Sequence, residues 1–248
     1  MVLKIKSKQT KKTVWIIGGS STIGRALCKS LHEKGVRYIG TSRKKSSGMF
    51  FLDLAKKIPD LPLKSVDQVV LLAGLTDMRF CEKNKKLAKR INYTSVIKIA
   101  EQCAASGCHF VFLSSSRVFS GHRKKPWQEN SLPKAFNFYG HLKLKCEKYL
   151  KTNVKSFAIL RLSKIITKES ETEKNKHWAK KIKMAPVSIQ EVINSILQIL
   201  IKRAKGTFHL SSKNACSYYE FYKRVTGQAF IKDKKNLKNY WKENPIII

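Results

Sequence analysis

Residues 16–27, IIGGSSTIGRAL, constrain this chain more than any other stretch. A short β-branched run ends in two glycines, and small residues then lead into a helical pattern. Gly18 can take a positive φ, Gly24 lets a helix approach the strand closely, and the helix start offers unpaired N–H groups to a phosphate. The spacing Gly18-x-x-Ser21-x-x-Gly24 therefore reads as the pyrophosphate-binding turn of a dinucleotide fold. Ser21 stands where a third glycine is usual, with a hydroxyl that could donate to a phosphate oxygen. Alone, the turn is equally compatible with a purely structural strand–turn–helix junction.

The rest of the 248 residues supplies the context such a turn needs. Short apolar runs at 14–17, 38–41, 68–73, 109–114, 156–162 and 207–210 predict strands. Between and after them, helical periodicity predicts helices at 22–34, 81–106, 138–152, 188–202 and 218–226. In the first of these Ile23, Ala26, Leu27 and Leu31 share one face, while Arg25, Lys29, Glu33 and Lys34 point away. Strands alternating with helices predict an α/β fold with a doubly wound parallel sheet. The segment 164–183 is strongly polar and reads as a loop or a loose helix.

Composition narrows the function classes. Lysine and arginine number 51 against 16 acids, a formal net charge of +35. The cations are spread along the whole chain, so they read chiefly as a solvated surface that also attracts an anionic substrate. Nucleic acid rests on charge alone and ranks last. No apolar run reaches the roughly 18 residues of a membrane span, and the basic start, residues 1–12, is followed by no export-type core. Six scattered cysteines read as free thiols, which points to the cytoplasm, and neither they nor the six histidines show metal-ligand spacing.

Four further stretches carry chemistry. The second strand ends in GTSRKK, with Ser42, Arg43 and Lys44 where an NAD-binding fold often has an acid for the ribose hydroxyl. Cations there suit the 2′-phosphate of NADP. Asp53 follows an apolar run and could accept from an adenine amino group or cap a helix. The LLAGLT run (71–76) leaves bare backbone for a nucleotide to pass, and Asn92 sits mid-helix, where it is a poor helix former without a task, either at the cofactor or in bonding a neighbouring backbone group. Finally FLSSSRVFSG (112–121) precedes YGHLK (139–143). Tyr139 and Lys143 share a helical face, so an ammonium could lower the phenol's pKa, and Ser115 could hold a carbonyl oxygen.

Taken in this order, the set resembles the extended short-chain dehydrogenase/reductase superfamily, and within it the dTDP-4-dehydrorhamnose reductase group. SSSRVFSG is similar to that group's S-T-D-Y-V-F-x-G stretch, and the likeness runs from about Thr13 to about Gly227. The resemblance implies a Rossmann-type sheet with helices on both faces and a small C-terminal substrate lobe. It divides the chain into a basic extension (1–12), an NADP-binding domain (13–163) and a reduced lobe with the last strand and helices (164–248).

The resemblance also implies Ser115, Tyr139 and Lys143 as catalytic residues. It puts Gly18, Ser21, Thr22, Ile23 and Gly24 along the pyrophosphate, and Ser42, Arg43 and Lys44 at the 2′-phosphate. Asp53 and Leu54 would lie by the adenine, with Ala73, Gly74, Leu75, Asn92, Ser114 and Leu162 along the cofactor. Thr76, Ser116, Arg117, Val118 and Arg161 would meet the substrate. Ser116 and Arg117 replace the group's Asp and Tyr, so the substrate itself stays open. The activity implied is NADPH-dependent reduction of a nucleotide-diphosphate keto-sugar, with a homodimer as an open expectation. A sugar-nucleotide epimerase with the same triad and a non-catalytic NADP-binding subunit remain as alternatives.

Overall fold

The computed structural model describes residues 13–45, 48–120, 127–166 and 183–212, together with the short strands at 216–217 and 246–247. Seven parallel strands form the main sheet: β1 (Thr13–Ile17), β2 (Arg37–Ser42), β3 (Phe50–Phe51), β4 (Gln68–Leu71), β5 (His109–Ser115), β6 (Phe157–Leu162) and β10 (Gly206–Ser212). Their order is β10-β6-β5-β4-β1-β2-β3, and β12 (Ile246–Ile247) adds antiparallel to the outer edge of β10. Short strands β7 (Ile165–Ile166) and β9 (Val187–Ser188) pair parallel, and β8 (Lys183–Met184) pairs antiparallel with β11 (Cys216–Ser217).

The central strands are apolar because both faces of the sheet are covered. Every residue of β1, TVWII, is buried, with Trp15 and Ile16 fully so. Val14 and Ile16 face one core with Leu27 and Leu31 of α1 (Thr22–Glu33) and with Ile193, Ile196 and Leu200 of α6 (Ile189–Lys202). Trp15 and Ile17 face the other core. It contains Val96 and Ile99 of α4 (Ser95–Ala105), Cys146 and Leu150 of α5 (Phe138–Asn153), and the apolar residues of 52–66. Two layers of helices around one sheet make this a Rossmann-type, doubly wound α/β fold.

The helix expected at 81–106 is interrupted. It comprises α2 (Met78–Lys83), α3 (Lys85–Lys89), a π-helical turn over Arg90–Thr94, and α4. The strand expected over 68–73 ends at Leu71, after which the backbone leaves the sheet. The helix expected at 218–226, the extension 1–12 and most of 164–183 lie outside the described residues. The topology places the site. The chain winds outward from β1 through β2 to β3, then returns to β4 on the other side of β1, which opens a crevice at the C-terminal ends of β1 and β4.

Candidate active site

The glycine turn fills one side of that crevice. Gly18 adopts φ +95°, and a Cβ there would lie 2.8 Å from the Ala73 backbone nitrogen. A Cβ on Gly24 would lie 2.1 Å from the Gly18 carbonyl oxygen, so helix and turn close only around a hydrogen atom. Ser21 is the N-cap of α1, in an extended conformation at φ −72° that any residue can adopt. Its hydroxyl accepts from the Gly24 N–H at 3.1 Å and donates to the Gly18 carbonyl at 2.7 Å. That proton is used inside the turn rather than offered to a phosphate. The first-turn N–H groups of Thr22 and Ile23 remain as phosphate donors, as helix starts generally provide. Thr41 holds the other end, its hydroxyl accepting from the Gly18 N–H at 3.0 Å.

At the end of β2, Arg43 and Lys44 are exposed, whereas Ser42 is buried and its hydroxyl accepts from the Lys44 N–H at 3.1 Å. Ser42 thus shapes the turn that presents the two cations. Asp53 caps a local turn, accepting from the Ala55 N–H at 2.9 Å, while the Leu54 side chain lies in the core. Beyond β4 the 73–76 loop is held open by Asn92. Its Oδ1 accepts from the Leu75 N–H at 2.9 Å, and its Nδ2 donates to the Leu75 carbonyl at 2.8 Å. The π-helical turn places this asparagine, which is 1% exposed. Of the two tasks expected for Asn92, the bond to neighbouring backbone is the one seen, and it props up the loop, leaving Gly74 and Thr76 exposed and Ala73 and Leu75 half-buried.

Ser115, Tyr139 and Lys143, the three residues expected to be catalytic, meet where β5 ends against α5. Ser115 is the last residue of β5, and its Oγ accepts from the Arg117 N–H at 3.2 Å. Its hydroxyl lies near enough to Tyr139 to draw that phenol's pKa down. Tyr139 lies in the first turn of α5, where Asn137 caps the helix by accepting from the Gly140 N–H at 2.7 Å. One turn on, the Lys143 ammonium donates to the Leu113 carbonyl at 2.7 Å and lies 4.5 Å from the Phe112 ring centre. Tyr139 and Lys143 are each 7% exposed.

Burial dominates the electrostatics here. It pushes the Tyr139 phenol up to about 12, against the Ser115 hydrogen bond and the Arg117 charge, which pull it down. Burial thus outweighs the lowering expected from Lys143, and Tyr139 stays protonated across the neutral range. Burial also pulls Lys143 down to about 8, with Cys146, Glu147 and Cys81 drawing it back up.

Four more expectations need correction. Arg161 is 2% exposed and forms an ion pair with Glu147, Nη2 to Oε2 2.6 Å, so it is committed inside the protein rather than to a substrate. Ser114 donates to the same carboxylate at 2.5 Å, and its hydroxyl does not face the crevice as a cofactor ligand would. Val118 is fully buried, and Leu162 is part of the core. Ser116 is exposed and Arg117 half-buried beside the triad.

A family model described as the RmlD substrate binding domain matches residues 12–244. The chain belongs to that family. It is 24% identical over 219 residues to the spore coat polysaccharide biosynthesis protein SpsK of Bacillus subtilis (strain 168), covering 84% of this chain and 76% of that protein. It is also 24% identical over 241 residues to methionine adenosyltransferase 2 subunit beta of Bos taurus, covering 84% and 70% respectively. Among solved structures, dTDP-4-dehydrorhamnose reductase from Bacillus anthracis, in complex with NADP, superposes with a TM-score of 0.76 at 22% identity, covering 91% of this chain and 84% of that one. Likeness at that identity establishes the fold.

In this RmlD-family chain two residues matter that the motif reading passed over. A Cβ on Gly140 would lie 2.2 Å from the Arg117 carbonyl oxygen, so only glycine lets the turn at Ser116–Val118 rest on α5 beside Tyr139. Glu147 extends the helical face of Tyr139 and Lys143 by one more turn. The signal for it was present: an acid is scarce in this chain, and 139, 143 and 147 are spaced by four. Among the described residues no helix is long and apolar enough to cross a membrane, and no cluster of potential metal ligands occurs.

Proposed function

We propose that the protein is an NADPH-dependent reductase of a nucleotide-diphosphate keto-sugar of the 4-keto-6-deoxy type, serving surface polysaccharide synthesis. The observation that carries this reading is the meeting of Ser115, Tyr139 and Lys143 at the end of β5, across the crevice from the glycine turn. Membership of the RmlD family and the likeness to SpsK support it. The residues fit a dinucleotide: Gly18 and Gly24 form a cradle that a Cβ would fill, and Thr22 and Ile23 supply N–H groups for the pyrophosphate. Arg43 and Lys44 would take the 2′-phosphate, while Gly74 leaves room beside the 73–76 loop. Bound NADPH would supply the hydride.

The chain's own residues do the rest. Ser115 orients the carbonyl oxygen of the sugar through its hydroxyl. Tyr139, held protonated by burial, gives its proton to that oxygen as negative charge develops on it, and the Lys143 ammonium stabilises the phenolate left behind. Arg117 and the exposed Ser116 and Thr76 face the substrate side, where a guanidinium can take a diphosphate oxygen.

NADPH oxidation measured against a panel of nucleotide-linked keto-sugars tests the reading. Net NADPH consumption that disappears in Tyr139→Phe supports it, and turnover without net consumption points to an epimerase. A second reading, a cofactor-binding subunit without catalysis of its own, is favoured by the likeness to methionine adenosyltransferase 2 subunit beta. NADPH binding with no turnover across the panel would select it.

A further inference from the structure

Behind the triad lies a buried polar network that the reaction scheme leaves unused. Glu147, 1% exposed, accepts from Ser114 at 2.5 Å and from Arg161 through Nε at 3.0 Å and Nη2 at 2.6 Å. Arg161 Nη1 donates to the Glu129 carbonyl at 3.4 Å and to His209 Nε2 at 3.1 Å. Since a guanidinium only donates, Nε2 of His209 must be the bare nitrogen, which puts the ring proton on Nδ1, 4.0 Å from the Glu129 carboxylate. The guanidinium also lies 4.9 Å from the Phe119 ring centre, and Phe119 stacks on Trp127 at 4.6 Å. One carboxylate thus joins β5, α5 and β6, and through Arg161 reaches β10 and the residues around 127–129.

An ion pair this deep is a poor source of stability, because desolvation offsets most of the attraction. Its placement suggests a different use. Ser114 immediately precedes Ser115 on β5, and Glu147 lies one helical turn beyond Lys143 on α5. We propose that Glu147 and Arg161 form a positioning pair for the triad: the carboxylate anchors the end of β5 under Ser115 and, from the next turn of α5, favours the charged form of Lys143, and Arg161 fixes that carboxylate in place. This inference rests on the catalytic reading above for its consequence, but its physical content does not.

The groups facing Lys143 are few. From α5 they are Tyr139, Cys146 and Glu147; from α2, Cys81; from β5, the Leu113 carbonyl and the Phe112 ring. Tyr139, Cys146 and Cys81 are all pushed up by burial and uncharged at neutral pH. Glu147 is thus the one carboxylate in this set, and it acts to keep Lys143 protonated.

The test reads Lys143 itself. In protein labelled with ¹³C at lysine Cε, the Lys143 resonance is identified by its loss in Lys143→Met, and its titration is followed without cofactor or substrate. Glu147→Gln should lower the Lys143 midpoint by about one pH unit, and Glu147→Asp should return it most of the way. The double variant Glu147→Gln/Arg161→Gln leaves neither partner of the ion pair without the other and covers the case in which Glu147→Gln fails to fold. It removes one charge of each sign, and Glu147 is the one of the two that acts on Lys143 more strongly, so a downward shift smaller than that of Glu147→Gln should remain. A midpoint unchanged in Glu147→Gln, or unchanged or raised in the double variant, overturns the proposal. If the keto-sugar panel shows activity, turnover at pH 8 should fall roughly fivefold in Glu147→Gln, as the one-unit shift takes the protonated fraction of Lys143 from about a half to about a tenth, with KM nearly unchanged. Were the panel to show no activity while the shift appeared, the catalytic reading would fail and the positioning pair would stand.

Discussion

Replacing Lys143 by methionine should remove activity and yet stabilise the fold at neutral pH. The ammonium is nine-tenths buried, and burial pulls its pKa from 10.5 down to about 8. At 1.36 kcal/mol per pKa unit, keeping it charged costs the native state about 3 kcal/mol at pH 7. Methionine has similar length and no charge, so it sheds that cost. It loses the hydrogen bond to the Leu113 carbonyl and the contact with the Phe112 ring, together roughly 1–2 kcal/mol. The net expectation is a gain of about 1–2 kcal/mol at pH 7.

The pH dependence makes this specific. Between about pH 8 and 10.5 the unfolded chain holds the proton on Lys143 and the native chain does not, so wild-type stability rises with pH in that window. Below pH 8 both states carry the proton, and the full cost is present. The advantage of methionine should therefore be largest at pH 7 and mostly gone by pH 9.5. Urea unfolding followed by tryptophan fluorescence at the two pH values measures it. A Lys143→Met variant that is less stable at pH 7, with a gap that does not change at pH 9.5, would refute the claim that this lysine is kept at a cost for function.

Other substitutions test the rest of the site. Gly24→Ala places a methyl 2.1 Å from the Gly18 carbonyl and should cost about 1–3 kcal/mol while weakening NADPH binding at least roughly tenfold. Ser21→Gly removes the helix cap and the exposed bond to the Gly18 carbonyl, so stability should fall by about 1 kcal/mol or less with NADPH affinity near wild type, as thermal unfolding and a binding titration would measure. Removing Arg43 or Lys44 should lower NADPH affinity roughly tenfold each in a fluorescence titration and leave NADH affinity unchanged. Gly140→Ala should displace the turn at Ser116–Val118, lowering kcat while NADPH affinity holds, because the clash is with Arg117 and not with the cofactor crevice.

The fold was largely legible because its signals are local. A buried β-branched run, a glycine pair and an amphipathic helix fix β1, the turn and α1 within some 20 residues. Repetition of that unit makes the parallel sheet. The site was legible only as an order of motifs, and the errors fell where side-chain direction decides the role. Arg161 and Ser114 lie at strand ends that open on the crevice, but strand alternation points them at Glu147 instead. Asn92 stood open between cofactor ligand and backbone support, because asparagine is costly in an α-helix and the π-helical turn that makes it useful to Leu75 has no periodic signature. The Tyr139 pKa was misjudged because spacing shows a nearby ammonium but not the burial that outweighs it. Gly140 was passed over since its constraint, the Arg117 carbonyl, is 23 residues away in sequence and against it in space.

The central claim is that Tyr139 is the proton donor of an NADPH-dependent keto-sugar reduction. Its most direct test is NADPH oxidation with a nucleotide-linked 4-keto-6-deoxysugar, comparing wild type with Tyr139→Phe, alongside NADPH affinity for both. The account predicts measurable oxidation by the wild type, a loss of at least roughly 100-fold in kcat for Tyr139→Phe, and NADPH affinity unchanged within about threefold. Undiminished oxidation by Tyr139→Phe would contradict it.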